Sequence, residues 1–197
     1  MKKKKSTVIT VIIMILLAVG VVIGYFYVSD RRSKESEERE SVQTEIEKLL
    51  EKNLNTSYPA TPREVVKVYS RMMKCFYNEE MTEDQVEQML VKLRLLYDAE
   101  LLQENTYNAQ LEELWEEIKE YKACKRTIIS YQIEKAGDMI TWTDEERDYA
   151  RLIAYYTQKE DTEYLKVYEE FILRKDTEGR WKILSWRLAD GEDMEKE

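Results

Sequence analysis

The chain contains no histidine, and this absence removes several common catalytic and metal-binding arrangements. Histidine is the usual general base near neutral pH, the partner that activates a Ser or Cys nucleophile, and the most frequent nitrogen ligand of zinc. The sequence also lacks a Gly-rich phosphate loop, a G-x-S-x-G element and an EF-hand loop. We therefore expect neither a metal centre nor a cofactor.

Cysteine is nearly as scarce, because the chain has only Cys75 and Cys124. Two thiols are too few for a thiolate metal cage. Both lie in segments of helical pattern. In an oxidising compartment they could form a disulfide, which would stabilise the fold by about 3–4 kcal/mol. The alternative is that both are small, buried, apolar side chains.

Glycine and proline are also rare, with five and two residues, which argues against a disordered or loop-dominated chain. Residues 1–40 carry eight Lys or Arg against five Asp or Glu, whereas the whole chain has a net charge of −9. Residues 41–197 therefore carry a net charge of about −12. Nucleic-acid binding needs Lys and Arg on phosphates, so we expect no nucleic-acid partner.

One uncharged run stands out, from Thr7 to Val28, and it is 22 residues long. As a helix it would span about 33 Å, enough for a hydrocarbon core of about 30 Å. Four lysines precede it, and the basic cluster that follows is diluted by acidic residues. We expect a single-pass anchor in the cell membrane, with the N-terminus cytoplasmic and the domain outside. A cleaved signal peptide is the competing interpretation, but the run is too long and no A-x-A site follows it.

The middle of the chain has helical periodicity. A short amphipathic helix is predicted near residues 41–53. Thr61 to Glu64 and Thr82 to Gln85 are capping boxes, and each precedes a helical stripe of apolar residues. The second of these helices is predicted to continue to Leu101, and another starts near Tyr107. We therefore expect three helices within the domain.

After Arg126 the apolar period changes from 3.6 to 2, which indicates strands. Four are predicted, over 127–134, 148–158, 164–174 and 180–189, with a hairpin turn that ends at Gly179. Helices followed by an antiparallel meander predict an α+β fold, with the three helices packed on a curved sheet. The predicted division is a cytoplasmic basic tail (1–6), the transmembrane helix (7–28), a charged spacer with a short amphipathic helix (29–57), the extracytoplasmic domain (58–190) and an acidic tail (191–197).

The closing hairpin carries a resemblance. Residues 171–176 and 179–184 (FILRKD and GRWKIL) resemble the last hairpin of the nuclear transport factor 2-like (cystatin-like) superfamily, and 58–190 is similar to an uncharacterised bacterial family of membrane-anchored extracytoplasmic proteins. The resemblance implies a cone-shaped domain that encloses a pocket. Members of the superfamily include isomerases, dehydratases, ligand-binding modules and scaffolds, some of them in secretion machines, so the fold does not select a function.

Glu169 is the sharpest candidate for chemistry. Strand alternation places it on the same face as Val167 and Phe171, so it would be a carboxylate in an apolar pocket. Such a carboxylate has a raised pKa and can act as a general base, with Arg151, Tyr155 or Tyr131 stabilising an oxyanion. The alternative is a cross-strand ion pair or a place at the sheet rim.

Tyrosine is abundant, with 14 residues. Tyr155 and Tyr156 point to opposite sides of their predicted strand, so aromatic surface is expected on both faces of the sheet. Four candidate binding residues for the outer face or the pocket are Tyr156, Tyr168, Trp186 and Leu188. We expect a non-enzymatic binding or interaction domain, with the bilayer as one partner and a second copy or an envelope protein as another. The alternative is an isomerase or dehydratase with Glu169 as its base.

Overall fold

A computed structural model of the chain describes residues 44–189. Within this range no helix is both long enough and apolar enough to cross a membrane. The predicted transmembrane segment Thr7–Val28, both tails and most of the predicted spacer lie outside the described residues. The described part is an α+β unit, which confirms the predicted fold class.

Five helices precede the sheet in the described range, and three of them begin at a complete capping box. Thr44, Thr61 and Thr82 each accept a hydrogen bond from the backbone of the residue three positions later, whose side chain bonds back to the threonine amide. The helices are α1 (Glu45–Glu51), α2 (Pro62–Asn78), α3 (Glu83–Arg94), α4 (Ala99–Glu104) and α5 (Tyr107–Ala123).

The helix predicted to reach Leu101 ends at Arg94 instead. After it the chain runs beside the last strand, where the Ile183 amide donates to the Leu96 carbonyl and the Asp98 amide donates to the Ile183 carbonyl, both at 2.8 Å. Asp98 then caps α4 by accepting from the Glu100 amide. A tertiary contact with a strand far along the chain thus interrupts a segment of helical pattern.

The sheet has five antiparallel strands in the described range, one more than predicted. They are β1 (Arg126–Ile133), β2 (Ile140–Asp144), β3 (Arg147–Glu160), β4 (Glu163–Lys175) and β5 (Trp181–Ala189). The order is β1-β3-β4-β5. The missed strand β2 pairs with the first residues of β3, and β1 pairs with the rest of the same edge. Gly179, at a φ of 75°, closes the β4–β5 hairpin as predicted.

The core lies between the helices and one face of the sheet. Phe76 and Met89 from the helices and Phe171 and Ile183 from the strands are all fully buried in one cluster. Leu49 of α1 is in the same cluster. The packed unit therefore begins before residue 58, where the sequence pattern had placed the start of the domain, because α1 buries its apolar side against the other helices.

Candidate functional site

Two cavities lie between the helices and the covered face of the sheet. The smaller one is about 130 Å³ and the larger one about 310 Å³. Four residues line both: Met73 and Tyr77 from α2, Glu117 from α5 and Glu169 from β4. We call these four residues the partition, since they border both spaces.

The Glu169 carboxyl borders both cavities, and the residue as a whole is half-buried. Its Oε2 atom has no access to solvent and no hydrogen-bond partner in the structure. Its neighbours across the strands are Ala154 and Leu188, and no basic side chain in residues 44–189 forms an ion pair with it. Burial raises the pKa of Glu169 to about 7, the Tyr156 hydroxyl opposes this by hydrogen bonding, and the charge of Glu117 adds to it.

Tyr156 connects Glu169 to the interior of α2. The Tyr156 hydroxyl lies 2.8 Å from the buried Ser70 hydroxyl, and Ser70 donates to the Val66 carbonyl at 2.9 Å. A protonated Glu169 can donate to Tyr156, whose own proton then points to Ser70. An ionised Glu169 can instead accept from Tyr156, and Ser70 then turns its proton from the Val66 carbonyl to the Tyr156 oxygen. The row of hydroxyls can therefore accommodate both protonation states of the carboxyl.

Aromatic rings form much of the smaller cavity. The Trp186 ring lies 5.5 Å from Tyr97 and 5.8 Å from Tyr69, measured between ring centroids. Tyr69 also meets Phe171 edge to face at 5.1 Å. Burial raises the pKa values of Tyr69 and Tyr97, so both rings stay neutral phenols. The cavity wall is thus largely aromatic faces and edges.

The side of the cavities formed by α5 is acidic. Glu113, Glu117 and Glu120 are spaced on one face of α5, and each lines one or both cavities. The Tyr77 hydroxyl donates to Glu117 Oε2 at 2.6 Å. These three residues are exposed to solvent, and they also border the interior space.

Two of the predicted partners of Glu169 lie on the other face of the sheet. Arg151 donates to Glu170 at 2.7 Å, and the same carboxylate accepts from Arg187 at 2.8 Å. Tyr155 donates to Gln132 and packs against Tyr168 with ring centroids 5.9 Å apart. The structure therefore does not bring Arg151 or Tyr155 to Glu169, because residues adjacent along a strand point to opposite faces.

The third predicted partner, Tyr131, shares the covered face with Glu169. It pairs with Tyr156 across β1 and β3, with ring centroids 6.4 Å apart. Tyr156 therefore stands between Tyr131 and the carboxyl. Tyr156, predicted as a binding residue and not as a partner of Glu169, is the residue whose hydroxyl lowers the Glu169 pKa by hydrogen bonding.

The other candidate binding residues divide between the two faces. Tyr168 is on the outer face with Tyr155. Regular alternation along β5 would place Trp186 and Ile183 on opposite faces, yet both are on the covered face. An irregularity between Ile172 and Leu173 in the β4–β5 pairing leaves Leu184 unpaired and shifts the alternation. Leu188 is 75 % exposed and lines the larger cavity, which therefore reaches the surface there.

Several residues of the site had no signal in the sequence beyond helical periodicity. Tyr69 and Met73 looked like ordinary core positions of α2, and Tyr97 like part of a longer helix. Their convergence depends on how α2 and the 95–98 segment meet the sheet. A bulge in β5 is likewise not marked by any Gly or Pro.

The cysteines do not contribute to the site. Cys75 and Cys124 are both free in the structure. Cys75 is buried in α2, and burial raises the pKa of its thiol to about 11, so it is an inert thiol. Within the described residues no group of three or more Cys, Asp and Glu side chains is placed to hold a metal ion.

Two larger surface depressions are weaker candidates for a functional site. One, of about 600 Å³, is lined by charged residues that already pair, as Lys175 does with Asp148 and Arg180 with Asp176. The other, of about 760 Å³, is a groove beside α3 and α5 around Trp115. Neither contains a buried polar atom without a partner, whereas Glu169 Oε2 is one.

The chain belongs to the family described as Domain of unknown function (DUF6715), whose model matches residues 1–186. This confirms that the chain is a member of an uncharacterised family. A comparison with curated proteins finds no match.

Proposed function

We propose that this protein is a membrane-tethered, extracytoplasmic binding domain, and that the cavities around Glu169 are its ligand site. The observation that carries the proposal is a carboxyl enclosed in an aromatic cavity with one oxygen unpaired. Leaving a buried polar atom without a partner costs about 1–3 kcal/mol, so its retention is better explained by a ligand than by stability. Helices on one face of an antiparallel sheet, with space between them, fit the nuclear transport factor 2-like cone that the hairpin resembles.

The tether rests on the uncharged segment Thr7–Val28 and its basic flank. With the N-terminus in the cytoplasm, the cavities would open into the extracytoplasmic space. The outer sheet face, where Tyr155 and Tyr168 lie, remains the predicted docking surface for a second copy or an envelope protein.

An enzyme with Glu169 as general base is the second candidate, and the raised pKa of about 7 favours it. An isomerase or dehydratase must also stabilise the negative charge that forms on its substrate. Arg151 and Tyr155 were expected to do so, but they lie on the opposite face. The acidic side chains of α5 would repel such a charge, so a binding site fits the geometry better.

The ligand site can be tested by NMR on the full chain in a non-ionic detergent, with the methionine methyl groups labelled. Met73 is in the partition, whereas Met139 lines neither cavity. A cocktail of cationic, neutral and anionic fragments should shift Met73 and leave Met139 in place. Val167→Trp, which fills the larger cavity, should abolish the shift caused by any fragment that binds in that cavity, and Val91→Trp on exposed α3 should change no shift. If no fragment of any charge moves Met73, the site is wrong.

The tether is tested separately by protease treatment of intact cells that express the full chain. The proposal predicts that the domain is digested in intact cells. Protection in intact cells, with digestion after permeabilisation, would contradict the orientation.

A further inference from the structure

The charges that line the cavities do not balance. Glu113, Glu117, Glu120 and Glu169 are acidic, and among the described lining residues Arg126 is the one basic side chain. Arg126 is already held by Glu160 at 2.8 Å and Glu120 at 3.3 Å. Glu117 has a neutral partner in Tyr77, and Glu169 Oε2 has none. The lining therefore has an excess of acidic side chains, of which Glu113, Glu117 and Glu120 are exposed to solvent and Glu169 is half-buried.

The aromatic walls of the smaller cavity also favour a positively charged ligand. The ring faces of Tyr, and above all Trp, attract a cation within about 6 Å of the ring centroid. Tyr69, Tyr97 and Trp186 all line the smaller cavity, so a cation bound there would lie close to aromatic rings. An anion would lie among carboxylates, and a neutral apolar molecule would leave Glu169 Oε2 without a partner.

We propose that the ligand of this site is a small organic ammonium ion with an apolar body. The inference rests on the proposed function and specifies the ligand class. The ammonium head lies in the smaller cavity, against the Tyr69, Tyr97 and Trp186 rings that line it, and Glu169 and Glu117 provide the countercharge. The acidic face of α5 draws the cation in from solvent, and a body too large for 130 Å³ extends toward the larger cavity.

Binding should depend on pH, because the cation requires an ionised Glu169. The groups that face this carboxyl are Tyr156 from β3, Glu117 from α5, Tyr69 and Tyr77 from α2, and Tyr97. Since the pKa values of Tyr69, Tyr77, Tyr97 and Tyr156 are all raised, these residues stay neutral across the range. Affinity should therefore fall by about tenfold per pH unit below 7.

The probes are two cations with matched uncharged relatives. Choline is compared with 3,3-dimethylbutan-1-ol, its carbon isostere, and n-butylammonium with n-butanol and butyrate. Each is titrated at pH 8 into the full chain in a non-ionic detergent, with the Met73 methyl signal as the readout. We expect at least one cation to bind about tenfold or more tightly than its uncharged relative, and butyrate not to bind.

Two variants and a control assign the effect to the site. Glu169→Gln should weaken cation binding about tenfold or more and leave the alcohols unchanged, whereas Glu112→Gln, on the exposed part of α5, should change neither. Trp186→Leu gives a second readout that leaves the carboxyl intact, and it should weaken the cations selectively.

Equal or tighter binding of an alcohol or butyrate would overturn the cation proposal but keep the ligand site. An unchanged cation affinity in both Glu169→Gln and Trp186→Leu would also overturn it. Failure of every fragment to reach Met73 would instead remove the site itself.

Discussion

Glu169 lies on β4 between the inward, apolar side chains of Val167 and Phe171, and its Oε2 atom has neither solvent access nor a hydrogen-bond partner. An ionised carboxylate is costly there, so the folded state prefers the neutral acid. This single residue makes the stability of the protein depend on pH in a direction opposite to that of a salt-bridged carboxylate.

Between pH 4.5 and 7 the folded state holds a proton on Glu169 that the unfolded state has released, because the pKa is about 7 when folded and 4.5 otherwise. Stability should fall as the pH rises through this window and level off above it. The shift corresponds to about 3 kcal/mol. Glu169→Gln should remove this loss, so urea unfolding at pH 4 and pH 8 should show the variant gaining about that much relative to the native chain at pH 8.

Glu87→Gln is the control for this comparison, since Glu87 is exposed on α3 away from the cavities. It should keep the pH dependence of the native chain. A Glu169→Gln variant that gains nothing at pH 8 would show that the carboxyl is hydrated in the folded state.

Strand alternation was enough to predict that Glu169 faces inward, because β4 is regular around it. The same rule failed for Trp186, since the bulge at Leu184 reverses the alternation in β5. Arg151 and Tyr155 were predicted to lie beside Glu169. The β3–β4 register pairs Glu169 with Ala154, so the side chains of Arg151 and Tyr155 point to the opposite face of the sheet. Tyr69 and Tyr97 come to the site through helix–sheet packing that no local pattern encodes.

At the scale of elements, the 95–98 segment is held against the sheet by a buried ion pair. Arg174 donates to Asp98 twice, at 2.6 and 3.1 Å, and the side chains of the two residues are only 8 % and 5 % exposed. Asp98 also caps α4. The Asp98–Arg174 ion pair therefore joins three elements: the end of α3, the start of α4 and the β4–β5 hairpin.

Asp98→Ala should destabilise the fold by about 3–5 kcal/mol, because it leaves a buried guanidinium with an incomplete set of partners and removes a helix cap. Glu100→Ala is the matched control, since Glu100 contacts the same Arg174 at 2.9 Å but is 60 % exposed. It should cost less than about 1 kcal/mol. Equal losses in urea unfolding would contradict a dominant role for the buried pair.

The β2–β3 hairpin shows why one strand was missed. Its two-residue loop is Glu145 and Glu146, at φ values of 46° and 62°. Positive φ at both loop positions is the type I′ turn, which favours Asn-Gly, so a pair of glutamates gives no hairpin signal. The other strands were predicted to within two residues because their β-branched and aromatic runs are long.

Replacing these two residues by Asn-Gly should stabilise the protein by about 1–2 kcal/mol, since glutamate is strained in the left-handed region. Thermal unfolding of the Glu145→Asn, Glu146→Gly double variant measures the gain. Asp161→Gly, in the β3–β4 turn at a φ of 52°, is the comparison, and its gain should be smaller because aspartate tolerates this conformation. A loss of stability in the double variant would show that the two glutamates are not strained.

At the scale of the whole molecule, the change of period from 3.6 to 2 near Arg126 was sufficient to predict helices followed by an antiparallel sheet. The start of the packed unit could not be predicted in this way. The sequence of α1 resembles a charged spacer, and only the structure shows that α1 is buried against the other helices. The family match places the chain in an uncharacterised family.

The account depends most on the state of one carboxyl, and carbon-13 NMR of the glutamate side chains can observe it directly. In the full chain, the signal absent from Glu169→Gln identifies Glu169, and its titration should have a midpoint near pH 7. Tyr156→Phe should raise the midpoint further, because the hydrogen bond that favours the ionised form is lost. A midpoint near the ordinary 4.5 would contradict the account, since it would mean that Glu169 lies in water and that no enclosed acidic cavity exists.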